Sequence, residues 1–115
     1  MRRPLRVLQV GTLALMVATD VAHAQSLQPG GDVEDFRRLC KMAPQSLEGA
    51  ACFWYIGGAA DQLQGERLLC AGSATYSAMV QAFLNWTDKN PDKWDISRRV
   101  GVMAALVTTW PCRAP

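Results

Sequence analysis

The run Cys52-Phe53-Trp54-Tyr55-Ile56-Gly57-Gly58-Ala59-Ala60 carries no charge, and Asp61 closes it. Read as a helix, it is hydrophobic nearly all round, and such a helix has to sit inside other elements rather than on top of them. Read as a strand, Phe-Trp-Tyr-Ile has the propensity and two glycines end it. Helix is preferred because Ile56, Ala59, Ala60 and Leu63 continue one stripe past the glycines, and Gly65 then supplies a stop. Gly57 and Gly58 would each cost about 1 kcal/mol relative to alanine in a helix interior, so they predict that a neighbouring backbone comes close there.

The N-terminus reads as a secretory signal peptide, residues 1–24. Arg2, Arg3 and Arg6 precede a mostly apolar stretch from Val7 to Thr19, and Ala22-His23-Ala24 forms a small-x-small cleavage site. The apolar stretch is too short for a membrane span, and Asp20 follows it at once. Arg2-Arg3 lies too near the start to serve as a twin-arginine signal, so general export is expected, with cleavage near Ala24 and a periplasmic destination. No cysteine follows the cleavage site directly, so no lipid anchor is indicated.

Removing 24 of the 115 residues leaves 91, enough for one small domain over 32–115 behind a flexible lead, 25–31. Three of the twelve basic and one of the ten acidic residues leave with the leader, so nine of each remain. A chain so balanced offers no electrostatic reason to expect nucleic acid or an anionic membrane as partner.

A domain of this size buries only about 60 to 65% of the surface its unfolded chain exposes, so covalent constraint is useful. Cys40, Cys52, Cys70 and Cys112 form an even set in an exported small domain, which reads as two disulfides. A metal site is disfavoured because there is no C-x-x-C pair and His23, the only histidine, departs with the leader. The same loss removes any histidine-based nucleophile or general base, so neither an enzyme nor a cofactor is expected.

Asp32 can cap a first helix, with Glu34 and Asp35 in its opening turn and Arg37, Arg38 and Lys41 near its end, the arrangement the helix dipole favours. Val33, Phe36, Leu39 and Cys40 share a face, and the basic cluster reads as a solvated face. Residues 42–49, with Pro44 and Gly49, read as a connection, and the apolar helix is expected from near Ala50 to about Leu63. After a second connection from Gly65 to Gly72, Ser73 or Thr75 can cap a third helix with Tyr76, Met79, Val80, Phe83, Leu84 and Thr87 on one side. Pro91 stops it by Asn90. Asp95 or Ser97 can cap a fourth, lined by Ile96, Val100, Met103, Leu106, Val107 and Trp110 and ended by Pro111.

The expected fold is therefore all-α: a small antiparallel bundle of about four helices. If the helices alternate in direction, Cys40 and Cys52 share one pole and Cys70 and Cys112 the other. That topology selects the pairs Cys40–Cys52 and Cys70–Cys112, each worth roughly 3 to 4 kcal/mol on the chain-entropy account.

The most polar connection is Asp88-Lys89-Asn90-Pro91-Asp92-Lys93-Trp94-Asp95. Trp94 has no periodic partner there and reads either as a staple packed back on the bundle or as a binding anchor. Asp61 is the one carboxylate on the apolar helix, and a lone acid near a helix end is commonly solvated or bonded to a neighbouring turn.

Cys52, Tyr55, Ile56, Gly58 and Asp61 spell cysteine, two residues, then Tyr-Ile-x-Gly-x-x-Asp; Cys70, Asn90-Pro91 and Trp110-Pro111-Cys112 follow in order. This pattern, from about Phe36 to Cys112, resembles the Rap/Tai family of immunity proteins. Trp54 stands where that family usually has glycine, and Gly72 where a proline commonly follows the third cysteine. The resemblance implies a non-enzymatic, exported, homodimeric helical protein that blocks a peptidoglycan amidase injected by type VI secretion. The loop best suited to fill the amidase cleft is the polar one, with Lys89, Asn90, Asp92, Lys93 and Trp94 as contact residues. A periplasmic chaperone, or an accessory envelope protein of the same fold without an amidase partner, stays open as an alternative.

Overall fold

Among the described residues each α-helix begins where a small polar side chain can satisfy its first free amides. The computed structural model describes residues 31–113. The expected leader, and all of the lead but Gly31, lie outside the described residues. Helix α1 spans Val33–Cys40, capped by Asp32, whose carboxylate accepts from the Asp35 amide at 2.9 Å. Helix α3 spans Tyr76–Lys89 behind Thr75, and α4 spans Arg98–Thr109 behind Ser97, so in each case one of the two expected caps is used.

Helix α2, Leu47–Gly65, starts three residues before the expected Ala50. Ser46 is its cap, accepting from Gly49 N at 3.0 Å while its own hydroxyl donates to Ala43 O at 2.6 Å. Gly49 therefore belongs to the first turn and not to the connection. A Cβ on it would collide with the Ala43 carbonyl, so it is here that a neighbouring backbone comes close. Gly57 and Gly58 behave differently from that expectation: Gly57 lies under the Tyr76 ring, a side chain, and Gly58 faces open space.

The stop after α2 also differs. Gly65 is its last helical residue, and the left-handed position falls on Arg67, φ 62°. Leu68 N donates to Leu63 O at 2.8 Å and Arg67 N to Gln64 O at 3.0 Å, the bond pair of a Schellman turn.

Among the described residues the fold is four helices, with a single 3₁₀ turn at Pro91–Lys93 and a lone bridge between Asp32 and Ser97. Every helix touches the other three. They meet over a core of Val33, Phe36, Ile56, Leu69, Met79, Phe83, Val102 and Leu106, all essentially without solvent contact. The Phe36 ring stands edge-on to Tyr55 at 4.8 Å and to Phe83 at 5.4 Å, each pair worth about 0.5 to 1.5 kcal/mol beyond its buried area. The disulfides are Cys40–Cys52 and Cys70–Cys112, as the topology argument selects.

Two faces depart from the sequence reading. The apolar helix is not covered all round, since Trp54 is 66% exposed and Leu47 83%. Helices of 8, 14 and 12 residues are too short to wrap one of 19. On α4 the buried stripe is Gly101, Val102, Ala105 and Leu106, while Val100 and Met103, expected inside, are exposed. Gly101 decides the rotation: it lies against the Val33 side chain, where no Cβ fits.

Candidate functional site: the loop between α3 and α4

The polar segment from Asp88 to Asp95 contains the end of α3, the Asn90 cap, the 3₁₀ turn and Trp94. Its base is fastened on three sides. The Trp94 indole N–H donates to Thr87 O at 2.8 Å, and Asn90 Nδ2 donates to Trp86 O at 2.8 Å. Glu34 N donates to Trp94 O at 3.0 Å and Val33 N to Ile96 O at 2.9 Å, which ties the loop's exit to the start of α1.

Arg37 closes the third side. Its guanidinium lies 4.3 Å from the Trp94 ring centroid, donates through Nε to Thr87 Oγ1 at 3.0 Å, and pairs through Nη2 with Asp88 Oδ1 at 2.7 Å. Thr87, fully buried, passes its own hydroxyl proton to Leu84 O at 2.8 Å, so the polar chain is satisfied inside the fold. The hydrogen bond from Arg37 holds the Asp88 carboxyl below its ordinary range, partly opposed by desolvation and aided by the charges of Arg37 and Lys41. Arg37, which the sequence places on a solvated face, is the clamp of this loop; no pattern within α1 carries that signal.

Trp94 is half-buried and acts as the staple of its two readings. Asn90 is half-buried as well, whereas Lys89, Asp92 and Lys93 are exposed, the last two within 3.8 Å of each other. The loop thus offers Lys89, Asp92, Lys93 and Asp95 as exposed charges on a fixed base, while Asp88 is engaged by Arg37.

The other singled-out residues do not converge on it as one site. Ile56 is in the core, and Tyr55 packs between Phe36 and the groove beside α4. Gly58 and Asp61 face solvent, where Asp61 Oδ2 accepts from the Tyr76 hydroxyl at 2.5 Å. That hydrogen bond, with desolvation and the carboxylate charge behind it, raises the Tyr76 phenol above its ordinary value. Tyr76 reads from sequence only as one of an apolar stripe.

Arg98 escaped the sequence reading altogether. It is 8% exposed, with its guanidinium 4.8 Å from the Phe36 ring and 5.1 Å from the Tyr55 ring, and Nε meets no hydrogen-bond partner. Stacking on the negative faces of two rings offsets part of the desolvation.

The family model for Rap1a immunity proteins matches residues 32–112, the whole of the bundle from the α1 cap to the last cysteine. The chain belongs to the Rap1a immunity protein family. No curated protein and no solved structure matches it. As a Rap1a-family immunity protein, it is made to bind a toxin. Among the described residues of this Rap1a-family chain, no cluster of three His, Cys, Asp or Glu side chains could hold a metal ion.

Proposed function

We propose that this immunity protein is exported to the periplasm and neutralises a peptidoglycan amidase delivered by type VI secretion. It acts as a homodimer and covers the amidase cleft with the loop between α3 and α4. The reading is carried by the Rap1a family match together with a polar loop whose base is already fixed. A loop held in one conformation before contact loses little entropy on binding. Its exposed Lys89 and the exposed Asp92–Lys93 pair can meet polar groups at the rim of a cleft, while Trp94 and Arg37 hold the frame.

The test takes as its candidate any cysteine-histidine peptidoglycan amidase found in an adjacent open reading frame. Calorimetry against the wild type and the Lys89→Ala/Lys93→Ala double variant should show at least a tenfold loss of affinity at unchanged melting temperature. Unchanged affinity would remove the loop from the account, and an amidase that the wild type neither binds nor inhibits would remove the amidase.

A further inference from the structure

Among the described residues the bundle leaves an apolar face bare between α2 and α4. On α4 the core takes Gly101, Val102, Ala105 and Leu106, and the second stripe, Val100 and Met103, stays 54% and 38% exposed. Across from it on α2, Trp54 is 66% exposed. Trp54 and Met103 flank a groove of about 340 Å³ with Gly58 and Ala59 along it. Exposed tryptophan beside exposed methionine is the composition of an interface centre rather than of ordinary surface.

Two further features say what covers it. Trp54, its ring edge-on to Phe53 at 5.1 Å and to Tyr76 at 6.1 Å, keeps two-thirds of its surface exposed as a knob, and at Gly58, one turn on, the space is open: nothing lies within 4 Å of the Cβ it lacks. Glu66 and Arg99 line the same groove, and among the described residues neither forms an ion pair, with the other or elsewhere. Glu66 accepts only a 3.3 Å hydrogen bond from Gln62 Nε2, so a patch that holds both an exposed ring and open space for one, and both a cation and an anion without ion-pair partners, is complementary to itself under a two-fold rotation.

We propose that this groove is the interface of a symmetric dimer, in which Trp54 of each copy lies over Gly58 of the other and Arg99 of each meets Glu66 of the other. The proposal deepens the homodimer in the reading above by naming its surface, and rests on that reading. An unrelated partner would have to supply an aromatic knob, a cation and an anion in matching order, whereas a second copy supplies all three by symmetry.

Sedimentation equilibrium on the exported, fully disulfide-bonded chain tests it. The wild type should dimerise. Trp54→Ala should raise the dissociation constant by about thirtyfold or more, the size of effect a central interface tryptophan gives. Arg99→Glu and Glu66→Arg should each weaken the dimer, and the double reversal should restore it. All these side chains lie outside the core, so far-UV circular dichroism should stay helical throughout. A wild-type monomer, or a dimer indifferent to Trp54→Ala, overturns the proposal. Amidase inhibition measured on the same samples separates the two ideas. A monomeric wild type that still inhibits sinks this surface and leaves the immunity reading standing. If Trp54→Ala instead abolishes amidase binding by a monomer, the groove is a toxin contact and not a self-association surface.

Discussion

The indole N–H of Trp94 donates to the carbonyl of Thr87, seven residues back, and so folds the polar loop onto the end of α3. The same ring receives the Arg37 guanidinium. Trp94 therefore acts on stability before it acts on binding. Trp94→Ala should cost about 2 to 3 kcal/mol, less than the roughly 3 to 5 typical of a fully buried aromatic because the ring is half-buried. Urea denaturation measures this; a change below about 0.5 kcal/mol would mean that the ring is not part of the fold.

Gly57 and Gly58 are adjacent in sequence and opposite in environment. At Gly57 a methyl group would displace the Tyr76 ring and pull its hydroxyl from Asp61, so Gly57→Ala should destabilise by about 1 to 2 kcal/mol despite the better helix propensity. At Gly58 the space is open, and Gly58→Ala should stabilise by about 0.5 to 1 kcal/mol. Denaturation at low protein concentration, where self-association is negligible, compares them; equal effects would contradict the helix orientation.

Much of this fold is legible in the chain because its cues are local. Asp32, Thr75 and Ser97 are caps whose side chains reach the amide three residues on, and the cysteine pairing follows from alternating helices. The start of α2 was hidden because Gly49 looks like a breaker; only the Ala43 carbonyl above it explains a glycine inside the first turn. The rotation of α4 was hidden because Val100, Val102, Met103, Leu106 and Val107 give it two apolar stripes, and periodicity cannot say which one meets Val33. Of the candidate loop, its position and polarity are visible in the sequence. Its clamp, Arg37, is fifty residues from Thr87 and becomes visible only in three dimensions.

Arg67 occupies the left-handed position of the turn after α2, where an L side chain is strained and glycine is not. Arg67→Gly should raise stability by about 0.5 to 1 kcal/mol, read as a higher urea midpoint at unchanged slope. A lower midpoint would show that the Arg67 side chain makes a contact worth more than the strain.

Asp88 gives the loop base an acid limit. Its carboxyl is held below the ordinary value of about 4, so the stabilisation is fully present above that pH and is lost as pH falls through the depressed value. The Trp94 indole N–H resonance should therefore be unchanged from pH 7 to about 5 and shift only below about 4. Asp88→Asn should remove that shift, and a shift that persists in the variant would place the titrating group elsewhere.

The most direct measurement is whether this chain, purified with both disulfides formed, inhibits a candidate peptidoglycan amidase toxin from an adjacent open reading frame. The account predicts that stoichiometric wild-type protein abolishes hydrolysis and that Lys89→Ala/Lys93→Ala needs at least tenfold more protein for the same effect. Full hydrolysis in the presence of excess folded wild type would contradict it.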